Sequence, residues 1–165
     1  MARDNYWTNQ DGLVVGFGPH TADEGVSTQG SVKGNIQQVV LKIKGTELVD
    51  AGAPNAQYLA SSVVIPVDAY LVSARLFVTT AFTSGGSAVL DIGVYDVDAD
   101  AIEDDDGIDS AIAVATLVDN FDVACDGALV GSVLAQNSKI YASYDTAAFT
   151  AGEATLVVEY IPKLA

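Results

Sequence analysis

Apolar and polar residues alternate with period two through much of this 165-residue chain. That period belongs to a strand with one buried face, because successive side chains of a strand point to opposite sides. In 155–161, TLVVEYI, Leu156, Val158 and Tyr160 oppose Thr155, Val157, Glu159 and Ile161. In 88–96, AVLDIGVYD, Leu90, Ile92 and Val94 oppose Val89, Asp91, Gly93 and Tyr95. In 38–45, QVVLKIKG, Val39, Leu41 and Ile43 separate from Val40, Lys42 and Lys44. Residues 69–80 and 138–145 repeat the pattern, with Val72, Ala74, Leu76 and Val78 on one side of the first and Ile140, Ala142 and Tyr144 on one side of the second. Helical periodicity is scarce.

Turn-forming pairs such as GP, SGG, DG and AGE bound these runs. Shorter strands are expected at 12–17, 61–66 and 128–134, and loops or extended chain at 18–36 and 46–60. Strands with one apolar face must bury it, and two packed sheets do so at this length. The expectation is an all-β chain: an antiparallel β-sandwich or jelly roll of seven to eight strands, with an extended N-terminal arm and one short helix. The helix is placed near 109–115, DSAIAVA, with Asp109 capping its free N–H groups. Residues 1–36 are assigned to the arm and a first strand, and 37–165 to the sandwich. Only 8% of residues are aromatic, so Val, Leu and Ile must supply most of the packing.

The formal charge of −15 argues against nucleic acid and anionic membrane as partners, since phosphate contacts need Lys and Arg. Only seven cations exist, and none lies between Arg75 and Lys139. A single cysteine, Cys125, excludes an internal disulfide, and with His20 the sole histidine it is read as a small core residue. The opening MARDNYWTNQDG has no apolar signal core, and no run reaches membrane-spanning length, so synthesis in the cytoplasm is expected.

The stretch 96–109, DVDADAIEDDDGID, holds eight carboxylates and no cation. Asp96, Asp98 and Asp100 match the first, third and fifth positions of a helix–loop–helix calcium loop. Its sixth and twelfth positions demand Gly and Glu, and the chain has Ala101 and Gly107 there. A solvated acidic loop is therefore expected and no metal is assigned, with a calcium site of another geometry as the alternative. No catalytic residues are assigned either. Crowded carboxylates in a loop do not supply the unequal, partly buried environments that acid–base work needs. GFGPHT, 16–21, lacks the third glycine and following helix of a phosphate loop. No cofactor is implied.

Tyr6 and Trp7, flanked by Asn5 and Thr8, stand in the polar arm DNYWTNQDG. Aromatics there either anchor to another chain or plug the end of this chain's own sandwich. Both faces of TLVVEYI are apolar, which calls for coverage by a loop or a neighbouring subunit.

Several segments, taken in order, resemble small structural proteins of tailed bacteriophage virions, of the capsid decoration or cement type. They are NYWTNQDGLVVGFG (5–18), VTTAFTSGGSAVLDIGVYD (78–96), DDGIDSAIA (105–113), CDGALVG (125–131) and YDTAAFTAGEATLVVEYI (144–161). Residues 19–60 match least well. The resemblance implies a compact, non-enzymatic β domain on the outer capsid surface of the virion. It also implies a homotrimer that binds the major capsid protein and stabilises the shell. On that reading Asn5, Tyr6, Trp7 and Thr8 are the partner-contact residues. The alternative is a glycan-binding module or receptor-binding head fibre, with Tyr95, Tyr141 or Tyr144 as sugar platforms.

Overall fold

In a computed structural model the described residues are 6–8, 14–16, 36–50, 52 and 59–163, with side chains described from 36 onward. The chain divides into two units, Met1–Asn35 and Ile36–Ala165. In the first unit, β1 (Tyr6–Thr8) pairs antiparallel with β2 (Val14–Gly16), Trp7 opposite Val15.

The second unit is a sandwich of two four-stranded antiparallel sheets. The first sheet runs β3 (Gln37–Lys44), β10 (Phe149–Ile161), β5 (Tyr70–Ser84) and β8 (Phe121–Ala124). The second runs β4 (Leu59–Ala60), β9 (Ser138–Asp145), β6 (Val89–Asp96) and β7 (Ala101–Ala113). The all-β sandwich read from the sequence is therefore the fold. Between the sheets lie the residues that alternation assigned inward: Val39 and Ile43, Leu76, Leu156 and Val158 from one side, Leu90, Ile92 and Ile140 from the other, all buried. The partly exposed Val72 is an exception with a cause. Tyr160 faces Leu71 while Glu159 faces Ser73, so Val72 is the extra residue of a β-bulge. The bulge shifts the inward phase from Val72 to Leu71, which is wholly buried.

Three sequence expectations are corrected. No helix forms at 109–115. Ile112 and Ala113 pair with Leu90 and Val89, and the only helical turn among the described residues is a short 3-10 segment at Gly45–Glu47. Asp109 caps nothing; it is buried in β7. The acidic stretch is a loop only at 97–100 and a strand from Ala101, so a hairpin replaces the expected loop. The strand expected at 128–134 forms only in part: 127–132 is a run of turns, closed by Val130 N–H to Gly127 O and Ser132 N–H to Leu129 O at 3.0 Å each, and 131–134 pairs antiparallel with 68–71 through a bridge between Val133 and Tyr70. Sequence reasoning also missed β8 and the very short β4.

The two outer faces differ. Opposite the two steps from Ile92 to Val94, β7 takes five steps, from Asp109 back to Asp104. The surplus arches as a wide bulge over Gly93. A Cβ on Gly93 would lie 2.6 Å from the Asp105 carbonyl carbon and closer still to the Asp104 carbonyl oxygen. Only glycine admits that approach. Gly93 faces Tyr141 on β9, and Tyr141 is wholly buried although it points away from the inter-sheet core. Among the described residues nothing of this kind covers the apolar residues on the outer face of the first sheet: Val40 is 53% exposed and Phe77 40%.

Gly93→Ala should therefore destabilise the fold by about 3 kcal/mol, at the upper end of ordinary overpacking. Chemical denaturation measures it, and a loss below about 1 kcal/mol would show that the bulge is not seated as described.

Candidate interaction surfaces

The three aspartates that mimic a calcium loop serve the β6–β7 hairpin instead. Asp96 is buried, and its Oδ1 accepts the backbone N–H groups of Asp98 (2.8 Å) and Ala99 (3.1 Å). That is the local turn geometry an aspartate favours. Asp98 Oδ2 accepts Asn137 Nδ2 at 2.9 Å, while Asp100 Oδ1 accepts the Tyr95 hydroxyl at 2.6 Å. Each carboxylate is engaged with a different partner rather than converging on an ion.

The arch contributes a second acidic group. Carboxylate oxygens of Asp104, Asp105 and Asp106 all lie within 4.8 Å of one another, and Asp105 and Asp106 are exposed. Such a trio could hold a divalent cation, and exposed carboxylates also crowd this way when simply solvated. Its firmer consequence is electrostatic. Twelve of the 22 carboxylates fall between Arg75 and Lys139, with no cation between them. Nine of those twelve lie on β6, β7 and their hairpin, so the acidity concentrates on the second sheet.

Burial perturbs two further carboxyls. Burial pushes Asp91 above the ordinary carboxylate range, opposed by the Ala111 N–H it accepts at 2.7 Å and aided by Asp145, Asp105 and Asp106. That hydrogen bond holds Ala111 at its unusual φ of 51°. Burial likewise raises Asp109, against the lowering effect of its hydrogen bond from the Cys125 thiol. In turn, burial first and Asp109 second push the Cys125 thiol up to about 12. At neutral pH it stays protonated and unreactive, as a core cysteine should.

The outer face of the first sheet is built in cross-strand rows. Val40, Val157, Arg75 and Ala124 stand side by side, as do Lys42, Thr155, Phe77 and Asp122. Polar groups here are already paired with one another. Gln38 Nε2 and Ser73 Oγ donate to the two oxygens of Glu159, each at 2.9 Å, and hold its carboxyl below the usual range. Arg75 forms a two-pronged ion pair with Asp122.

Of the arm residues singled out in the sequence, Tyr6, Trp7 and Thr8 share strand β1, and Asn5 lies outside the described residues. The sugar-platform reading loses Tyr141, which is buried, while Tyr95 is bound to Asp100. Among the described residues the exposed aromatics are Tyr70, Phe77 and Phe121 on the first sheet. Sequence reasoning did not single them out; the signal was present in Phe77 standing on the polar side of its alternation.

The raised carboxyls fix a pH response. A carboxyl with a folded pKa above its unfolded value binds more protons when folded, so stability falls as pH rises through the folded pKa. The penalty is complete above that value and gone below the unfolded value near ~3.9. Glu159 works in the opposite sense, but its contribution is lost only as pH falls through its lowered pKa. Asp91 and Asp109 should therefore add to the melting temperature as pH falls through their raised pKa values toward ~3.9, and Asp91→Asn, which keeps the acceptor for Ala111, should reduce that gain. A scanning-fluorimetry series on both chains checks it, and an unchanged pH profile in the variant would contradict it.

No family model matches this chain, and no curated relative matches it. Among solved structures, the fold is similar to a chain of the cyanophage Pam1 capsid asymmetric unit. That likeness has a TM-score of 0.56 at 16% identity and covers 87% of this chain and 97% of the other. A second match, to the capsid of Ralstonia phage GP4, covers 80% and 87% at 19% identity, with a TM-score of 0.48. At these identities the first match shows a shared fold, and the second falls too low to carry an argument.

Proposed function

We propose that this chain is a structural protein of a tailed-bacteriophage virion, a decoration or cement protein that seats on the outer capsid and stabilises the shell. The observation that carries the reading is the sandwich it shares, over 97% of the other chain's length, with a component of a phage capsid asymmetric unit. The coverage figures make that component close to this chain in size. A chain so small suits an accessory of a shell better than its main building block. The anionic β6–β7 hairpin agrees: turned to solvent, it would keep particles apart by like-charge repulsion.

On this reading the protein is not an enzyme, and its work is mass action. A ligand that binds assembled shell, and not its dispersed subunits, stabilises the assembled state by about 2.7 kcal/mol per site when free ligand is a hundredfold above Kd. A homotrimer multiplies modest single contacts through effective concentration. The partner is the major capsid protein, and Asn5, Tyr6, Trp7 and Thr8 make the anchoring contact, aromatic rings giving large buried area for few rotors.

The test is co-sedimentation with purified capsids lacking this protein, followed by heating. Added protein should bind and raise the temperature of shell disruption. Trp7→Ala should weaken binding at least tenfold, about 1.4 kcal/mol, without lowering the melting temperature of the sandwich. Failure to bind shells, or a shell equally labile with and without it, would defeat the reading.

A further inference from the structure

We propose that the outer face of the first sheet, led by its edge strand β3, docks on the acidic β7 arch of a second copy, so that copies associate head to tail. This deepens the oligomer proposed above by assigning its contact. It rests on that reading for the number of copies only.

Four observations converge. Val40 on the edge strand β3 and Phe77 on β5 are 53% and 40% exposed on this face. Contiguous apolar surface on a sheet marks a contact. The polar groups around it already satisfy one another, through Gln38 and Ser73 on Glu159 and Arg75 on Asp122, so covering the face strands few hydrogen bonds. Three of the seven cations, Lys42, Lys44 and Arg75, stand on this face. Among the described residues Lys42 has no ion pair, and Lys44 has only an exposed one, to Glu47 at 3.6 Å. Lastly, β3 and β7 are edge strands of different sheets, and β7 carries the exposed Asp105 and Asp106 within a stretch free of cations.

Charge decides the occupant. A chain at −15 repels its own copies almost everywhere. The cationic edge of β3 against the arch is the pairing of its own surfaces that turns this repulsion into attraction. Because the two patches differ, the contact is heterologous, and such contacts close into rings when the rotation allows.

The experiment is charge reversal read by native mass spectrometry and sedimentation. Wild type should be oligomeric. Lys42→Glu with Lys44→Glu should raise the dissociation constant at least a hundredfold, and Asp105→Lys with Asp106→Lys should do the same. All four changes in one chain should return it to within about tenfold of wild type. Circular dichroism and melting curves confirm folding, which surface charges of this kind leave intact. A wild type that stays monomeric overturns the proposal, as does dissociation by the β3 changes alone, or a fourfold variant that stays dissociated. Capsid binding is scored separately. Oligomers with this charge pattern that ignore capsids would retire the cement reading and leave the contact standing. Monomers that bind capsids would do the reverse.

Discussion

Everything in the sandwich depends on one seam, where the inward faces of β5 and β10 meet those of β6 and β9. Leu76 and Leu156 from one sheet and Ile92 and Ile140 from the other are wholly buried there. Each is worth about 1.5–3 kcal/mol relative to exposure. Strand β10 joins the first sheet together, pairing with β3 on one side and β5 on the other across long stretches of sequence. With the inner faces committed, the side chains left over decide what the outer faces can do. The second sheet turns outward an acidic hairpin and an arch; the first turns outward a flat, partly apolar surface with its own small set of cations.

The seam was legible because its signal is local. Val39, Leu41 and Ile43 on β3, or Leu156, Val158 and Tyr160 on β10, need no knowledge of partners to be placed inward. What escaped the sequence depends on partners. β7 was hidden by its carboxylates, because a strand at the edge of a sheet tolerates a polar sequence that a loop would also carry, and charge there discourages edge-to-edge association. The helix expected at 109–115 fell to the pairing of Ile112 with Leu90, a tertiary contact that overrides weak local propensity. The bulge at Val72 could not be read from β5 alone, since it exists only relative to Glu159 and Tyr160. The apolar run at 128–134 misled only in its first half: turns close 127–132, while the buried Leu134 exchanges backbone hydrogen bonds with Asp68 and Ala69 as a strand would.

The candidate surfaces follow the same division. Acidity was plain in the sequence, but its distribution was not. Only the fold shows Asp96, Asp98 and Asp100 engaged within or beside the hairpin while Asp105 and Asp106 face outward. Likewise Phe77 became a surface residue only once its row, from Lys42 through Thr155 to Asp122, was assembled. The arm residues Tyr6, Trp7 and Thr8 rest on sequence chemistry and on their place in β1.

On the proposed reading this charge-segregated block works by being covered, so its place on a particle is what matters. Electron microscopy of phage virions is the most direct measurement. The account predicts density for a two-sheet sandwich of this topology on the outside of the shell, with the acidic hairpin turned away from the coat. Particles in which that density is absent from the capsid, and present only on the tail or nowhere, would contradict it.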